Sequence, residues 1–448
     1  MTLKCEVNNL YSQPEKIKFV RCARCGSLNA LSSAFFEFTD STMSSAHWNH
    51  YLHIGAGIDF MIRPIQRVAN ARKISSLLDV GCGFGYTIDY CHYSGLSKVV
   101  GVEPSTYGRM GRDMLSTPIE IAYLDEVEKL KGERFDVVFS SEVIEHVPDP
   151  RVFLRNLKDH LQTAGVLILT TPNSEFIEPG SISSMVAAAL SPGLHKILFS
   201  SQALRQLLVD VGFTEVLIET QEERLLAFAS LEPLKLALAG RLERNQYLAY
   251  LLRRSSDPTP HSDVEIGFRF RAFKELVNAG RVSEARLQAE AFQSLMREIY
   301  HYDPTDRAQL DSKILTITSF VDYERCAPYC FGPFLFYYAM MKRVAGDSAK
   351  DAAAWFHTAT KVLDHMISLE PMVSQEASSL IWRSLMEEGF ALTAAQEWRA
   401  ARSIFSVIQN FSEATSEALR ISHVPADVLT RTRLEDKRAQ SVIEGGAQ

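Results

Sequence analysis

The sequence predicts an α/β domain built on a doubly wound, mostly parallel sheet, followed by an all-α domain. Three observations predict it. Ser75 to Tyr90 reads as a strand, a glycine-rich turn and a helix start; short apolar strands then alternate with helical segments to about residue 220; and from about Arg271 to residue 437 the apolar residues recur at helical intervals. Alternating strands and helices favour parallel pairing with helices on both faces, which puts a ligand at the carboxyl ends of the strands.

The rest of the domain is arranged around the turn. Leu77-Leu78-Asp79-Val80 leads into Gly81, Gly83 and Gly85. Side chains at those positions would hold the backbone away from a ligand, and the helix start beyond them offers unpaired N–H donors. Dinucleotide-binding folds share this grammar. The G-x-G-x-G spacing, Asp79 before the first glycine, and Glu103 at the end of the next strand (Lys98 to Val102) set this turn apart.

In chain order, residues 1–45 carry Cys22-Ala23-Arg24-Cys25-Gly26, a knuckle able to supply two corners of a tetrahedral zinc site, with Cys5 nearby. Ser45 to Arg72 is helical in pattern. Ile119 to Leu124 reads as a third strand, Phe135 to Ser140 as a fourth and Gly165 to Thr171 as a fifth. An irregular insertion, 174–194, then precedes His195, a helix from Ser201 to Val211 and a sixth strand from Thr214 to Thr220. Residues 225–254 look helical, and the alternating run Val264 to Phe270 is expected to supply the last, antiparallel strand. The chain divides into an N-terminal segment (1–45), the α/β domain (46–254), a linker (255–266), a helical domain (267–437) and a disordered tail (438–448). In the helical domain Asn278-Ala279-Gly280 is a natural helix end and Ser283 a start for the next.

At 448 residues the chain needs two or three cores, and 46% hydrophobic with 23% charged residues is globular composition. The net charge of −7 and the lack of a dense basic cluster, with only doublets such as Arg253-Arg254, make a nucleic-acid partner unlikely on charge grounds. Seven scattered cysteines give no disulfide framework, which implies a reducing, cytoplasmic setting. The first residues lack a signal-type apolar core, and no apolar run is long enough to span a bilayer.

Glu142, Glu145 and His146 are spaced i, i+3 and i+4, so a helical turn would put two carboxylates and an imidazole on one face at the mouth beyond the fourth strand. With His195 they make a donor set suited to a hard or borderline divalent ion such as magnesium. The other uses of these residues are His195, His146 or Glu145 as an acid or base without metal, and a purely loop-shaping role.

LDVGCGFG, VVGVEPS, FDVVFSSEVIEHV and LILTTPN, in that order over 46–254, resemble the class I S-adenosylmethionine (SAM)-dependent methyltransferases, which have a Rossmann-like fold. The resemblance implies SAM contacts from Asp79, Gly81, Cys82, Gly83, Gly85, Glu103, Pro104 and Ser141. In the family the acid matching Glu103 accepts from the ribose hydroxyls, and one matching Asp125 accepts from the adenine amino group. E-x-x-E-H with a later histidine resembles the metal-dependent ubiquinone-pathway O-methyltransferases and the plant enzymes that methylate the 2′-hydroxyl at small-RNA 3′ ends, implying Glu142, Glu145, His146 and His195 as metal ligands. Some bacterial relatives begin with a two-knuckle zinc ribbon, of which Cys22 and Cys25 match one half. The helical region loosely resembles tetratricopeptide hairpins.

The expected function is therefore SAM-dependent O-methylation of a small molecule or saccharide hydroxyl, assisted by a divalent metal. One alternative is a macromolecular acceptor, an RNA 2′-hydroxyl or a protein, docked on the helical domain. The other is an inactive methyltransferase fold serving as an interaction protein. A protein partner or self-association through the helical domain is expected in either case.

Overall fold

The computed structural model describes residues 2–8, 16–32, 35–36, 45–55, 58–178, 183–221, 223–238, 241–257, 261–370, 375–414 and 424–445. The chain forms two compact units: residues 1–43, 57–181 and 185–250, and residues 44–56, 182–184 and 251–448.

The first unit opens with strands β1 (Thr2–Asn8), β2 (Lys16–Arg21) and β3 (Leu28–Leu31). Helix α1 (Ser45–Ile54) belongs to the second unit and α2 (Ile58–Ala71) to the first. The expected single helix from Ser45 to Arg72 is thus two, ending its first part at Gly55, which has a left-handed φ of 63°. There follow β4 (Ser76–Val80), α3 (Tyr86–Tyr93), β5 (Lys98–Val102), α4 (Thr106–Leu115), β6 (Ile119–Glu120), β7 (Phe135–Ser141), α5 (Pro150–Asp159), β8 (Leu161–Pro172), α6 (Ser183–Leu190), β9 (Ile197–Leu198), α7 (Ser201–Val211), β10 (Glu215–Gln221) and β11 (Arg224–Ser230).

Seven strands form one sheet in the order β10-β11-β8-β7-β4-β5-β6, parallel from β8 to β6 and antiparallel at β11 and β10. Every residue of β4 is buried, as expected for a central strand covered on both faces. Local chemistry starts the flanking helices: Asp149 accepts from the N–H groups of Arg151 (2.9 Å) and Val152 (3.1 Å) ahead of Pro150, and Ser200 accepts from Ala203 N–H (3.1 Å). A second, antiparallel sheet, β1-β2-β3-β9, joins the N-terminal strands to the segment just after His195.

Two strand assignments differ from expectation. Arg224 to Ser230, within the stretch that looks helical, is the antiparallel strand β11. It is buried on both faces between β8 and β10 and so shows no alternation. Val264 to Phe270 lies instead in helix α9 (Ser262–Asn278), where Val264, Ile266, Phe268 and Phe270 are all buried, so their spacing of two carries no strand signal.

The second unit is all-helical: α8 (Arg241–Ser256, shared with the first), α9, α10 (Val282–Tyr300), α11 (Arg307–Ile314), α12 (Phe320–Tyr323), α13 (Phe331–Val344), α14 (Ala349–Leu369), α15 (Gln375–Ala394), α16 (Trp398–Ala414) and α17 (Ala426–Gly445). Consecutive pairs α9–α10 and α13 to α17 pack on each other, with the short α11 and α12 between. Residues 438–445, expected to be a disordered tail, continue α17, where Ala439 is fully buried. Helix α1 is fixed in this unit by His53. Its Nδ1 accepts from Tyr329 N–H (3.1 Å), so Nε2 carries the proton donated to Asp263 (2.9 Å). No helix among the described residues is long and apolar enough to cross a membrane.

Candidate functional site

Strands β4, β5 and β7 bring the glycine turn, Glu103 and Ser141 to one edge of the sheet. Gly81, Gly83 and Gly85 all have left-handed φ values, of 76°, 53° and 83°. A Cβ on Gly81 would lie 2.3 Å from Val143 Cγ2, so packing excludes one, whereas a Cβ on Gly83 would meet no atom within 4 Å. Open space beside a turn of unhindered backbone is what a ligand approaching the main chain requires. Glu103 is anchored against it: Oε2 accepts from Gly83 N–H and Oε1 from Ser105 N–H, both at 3.0 Å.

Asp79, 2% exposed, has its carboxyl held well above the usual range by burial and by the charge of Glu103, against a hydrogen bond from Thr87. Cys82 is buried, which pushes its thiol up. Pro104 follows Glu103 half-buried, and Ser141 Oγ shares a 2.7 Å hydrogen bond with Thr170 Oγ1. Asp125 sits exposed on the single turn Leu124–Glu126, with Val127 buried behind it.

Beyond β7 the chain does not enter a helix. Glu142 has φ 56°, its N–H donates to Thr170 O (3.0 Å), and His146 N–H closes back on Val143 O (3.0 Å). The segment is a tight turn, because the hydrogen bond to β8 extends one residue past the strand. Glu142 is therefore parted from its expected companions. Its carboxylate accepts from Thr170 Oγ1 (2.9 Å) and faces Arg224 Nε at 3.9 Å.

Glu145, His146 and His195 do converge. Glu145 is fully buried: Oε2 accepts from Thr171 Oγ1 (2.9 Å), while Oε1 has no hydrogen-bond partner and lies 3.7 Å from His146 Nε2 and 4.0 Å from His195 Nε2. Each imidazole turns Nδ1 toward a carbonyl, Leu194 O at 3.3 Å and Ala189 O at 2.7 Å. Only a protonated Nδ1 can donate there, so both Nε2 atoms present lone pairs to the carboxylate. Burial, then the charge of Glu142, raises the Glu145 carboxyl well above its usual range. Burial lowers His146 to about 4, and burial with the neighbouring His146 lowers His195 to about 3.

Three acceptor atoms around one buried point, one of them orphaned, fit a cation. Metal bonds of about 2.1 Å at tetrahedral angles put neighbouring donors about 3.4 Å apart, and the Glu145 separations of 3.7 and 4.0 Å would have to close only modestly to reach that. The backbone carbonyls at Nδ1 supply the outer contacts that orient ligating imidazoles.

Cys22 and Cys25 form a closed knuckle, with Cys22 N–H donating to Ser27 O and Gly26 N–H to Cys22 O, each at 2.9 Å. The N–H groups of Cys25 and Arg24 pull the Cys22 thiol down. Among the described residues no third ligand joins them: Cys5 lies on β1, opposite Phe19 of β2. Sequence reasoning missed Thr170, Thr171 and Arg224, whose places depend on the pairing of β8 with β7 and β11.

Residues 48–218 match the family model described as a methyltransferase domain. The chain carries a class I SAM-dependent methyltransferase domain. It is similar to a ubiquinone biosynthesis O-methyltransferase of Bradyrhizobium diazoefficiens, 29% identical over 163 residues, 34% of this chain and 63% of the relative. It is also similar to tRNA U34 carboxymethyltransferases. The one from Alteromonas mediterranea is 33% identical over 111 residues (22% of this chain, 33% of the relative), and one from Shewanella baltica is 27% identical over 188 residues (36% and 53%). The chain spans between a third and just under two thirds of the length of these relatives. The recurrence of tRNA-modifying relatives overturns the expectation, drawn from net charge, that a nucleic-acid partner is unlikely. Net charge sums the whole chain, while a nucleic acid meets one local surface.

Proposed function

We propose that this protein methylates a hydroxyl of an RNA, using SAM as donor. The observation that carries the reading is the Glu145–His146–His195 cluster, two members of which follow β7, the strand next to β4 and its glycine turn. The tRNA-acting relatives favour RNA as the acceptor class.

Glu103, fixed by two backbone N–H groups, presents its carboxylate to the cofactor's ribose hydroxyls, and the open face at Gly83 receives the methionine end. In the transfer, the acceptor oxygen attacks the methyl carbon in line as the carbon–sulfur bond breaks, and its electron pair stays on sulfur. The hydroxyl must lose its proton. Glu145, His146 and His195 would hold a divalent ion, which would supply Lewis acidity for that deprotonation, the proton leaving to solvent water. His195 alone is a poor substitute, since an imidazole whose pKa is about 3 holds a proton weakly at neutral pH.

A second reading, the hydroxyl of a small molecule, is favoured by the ubiquinone-pathway relative. Incubation with methyl-labelled SAM and separate RNA and small-molecule fractions, with and without chelator, separates the two. Label in 2′-O-methyl nucleosides that chelator abolishes supports the proposal; label only in the small-molecule fraction replaces it with the second reading.

A further inference from the structure

The helical unit holds a cleft that the methyl-transfer chemistry does not use. It has a volume of about 510 Å³ and is lined by α9, α13, α15 and α17. That lies within the range of small-molecule sites, about 300–1,000 Å³.

Its long wall is one face of α15. Glu376, Leu380, Arg383 and Glu387 recur at helical spacing over 11 residues, so the cleft runs for about 16 Å along the helix at 1.5 Å per residue. Phe336 and Met340 of α13 join Leu380 and Met386 as an apolar floor. Methionines are unbranched and adapt to an irregular apolar guest.

The charges do not cancel. Glu376 pairs with Lys274 at 2.5 Å, and Glu387 is held by Arg343, so both carboxylates are engaged. Arg383 has its nearest carboxylate, Asp427, at 3.8 Å, too far for a hydrogen bond. Arg431 lies 5.0 Å over the Phe390 ring and, like Arg383, reaches Glu387 through its charge but makes no ion pair within 4 Å of it among the described residues. Two guanidinium groups, from α15 and α17, therefore face one cleft with donors to spare. Guanidinium is the side chain whose planar fork matches carboxylate and phosphate oxygens.

We propose that this cleft binds a small amphipathic anion, its carboxylate or phosphate head on Arg383 and Arg431 and its apolar chain along Phe336, Met340, Leu380 and Met386. The elongated shape suits an unbranched chain, and the engaged carboxylates leave the excess positive charge to the head group. Lys274 and Glu376, already paired, border the chain and do not contact the head.

The test uses the full-length protein and calorimetric titration with decanoate, decyl phosphate and decanol. One equivalent of decanoate or decyl phosphate should bind, and decanol about tenfold or more weakly, because its neutral hydroxyl forms no charge-assisted hydrogen bond with the guanidinium groups. Whichever anion binds more tightly identifies the head group as carboxylate or phosphate. Arg383→Gln with Arg431→Gln should remove the preference for the anions and leave decanol unchanged. Ser379 is exposed on the same wall, so Ser379→Trp should fill the cleft and abolish binding of all three while SAM still binds. Decanol binding as tightly as the anions, an unchanged preference in the double arginine variant, or full binding by Ser379→Trp would each overturn the proposal.

Discussion

Replacing Glu145 by Gln tests the cluster most directly. The amide keeps the volume and can still accept from Thr171 Oγ1, but it removes the only carboxylate among the three converging donors. Losing a charged ligand should weaken a divalent ion by about 100-fold or more, at least as much as losing one of the outer contacts that orient ligands. At a free ion concentration about 100 times the wild-type Kd, binding adds about 2.7 kcal/mol to stability; a variant bound about 100-fold more weakly gains about 0.4 kcal/mol. The difference of about 2.3 kcal/mol corresponds to about 5–9 °C in Tm for a unit of this size. The assay is thermal melting after chelator treatment, titrated with magnesium, manganese and zinc in turn. Burial disfavours the charged form of the Glu145 carboxyl, so calorimetry in two buffers should also show more proton release on ion binding by the wild type than by the variant. SAM affinity should be the same in both, since Glu145 is not among the groups around the glycine turn. A wild-type Tm indifferent to all three ions, or an equal shift in Glu145→Gln, would refute the metal reading.

The two central glycines should fail differently. Gly83→Ala places its Cβ in open space, so it should cost only the left-handed strain of about 1–2 kcal/mol in melting while weakening SAM binding about tenfold or more; Gly81→Ala drives a methyl into Val143 and should destabilise the fold itself, seen as a much larger drop in Tm. Asp136 is held below its ordinary value near 3.8: partial burial raises it, but hydrogen bonds from the N–H and Oγ of Ser75 and Ser76, at 2.8 to 3.0 Å, outweigh that. A depressed native pKa adds stability above the unfolded value that is lost as pH falls through the native one, so Asp136→Asn should lower Tm at pH 7 and the gap should close toward pH 3. His146 and His195 follow the same sign, with native values of about 4 and 3 against about 6.5 unfolded, so without metal their contribution should be complete above about pH 6.5 and fall as the solution is acidified. His195→Gln should flatten the dependence of Tm on pH between 6.5 and 4, and an unchanged slope would show that the pair does not carry it.

The parts of the fold that were legible are those written locally. Leu77 to Val80, the three glycines and Glu103 specify strand, turn and strand end within about thirty residues, and the structure forms them in that order. What escaped depends on partners distant in sequence. Leu225 to Ala229 carries no alternation because both faces of β11 are covered, Leu225, Ala227 and Ala229 by a core that includes Leu204 and Leu208 of α7 and Phe228 by Arg67 of α2, and a fully buried strand of six or seven residues reads the same as a helix segment. The spacing of E-x-x-E-H permits one helical face. The hydrogen bond from Glu142 N–H to Thr170 O, set by the register of β7 on β8, turns the chain instead and divides Glu142 from Glu145 and His146.

The N-terminal sheet has a consequence that its short sequence conceals. Strand β3 pairs with β9 through Leu28 opposite Leu198 and Asn29 opposite Ile197, and Ala30 N–H donates to Lys196 O at 3.0 Å. Lys196 N–H in turn donates to Glu145 O at 2.8 Å. The residue following His195 is thus held from one side by the N-terminal sheet and from the other by the backbone of the buried carboxylate. Arg21 reinforces the arrangement by donating to Gly26 O (2.8 Å), Ser174 O (3.0 Å) and Ile177 O (2.9 Å), tying the cysteine knuckle to the segment that follows β8. A histidine on an insertion after a strand would ordinarily share the mobility of its loop, and a ligand or base must instead be held to within a fraction of an ångström. The β3–β9 pairing supplies that restraint. The knuckle residues Cys22 to Gly26 have a structural task in this arrangement, closing the turn between β2 and β3.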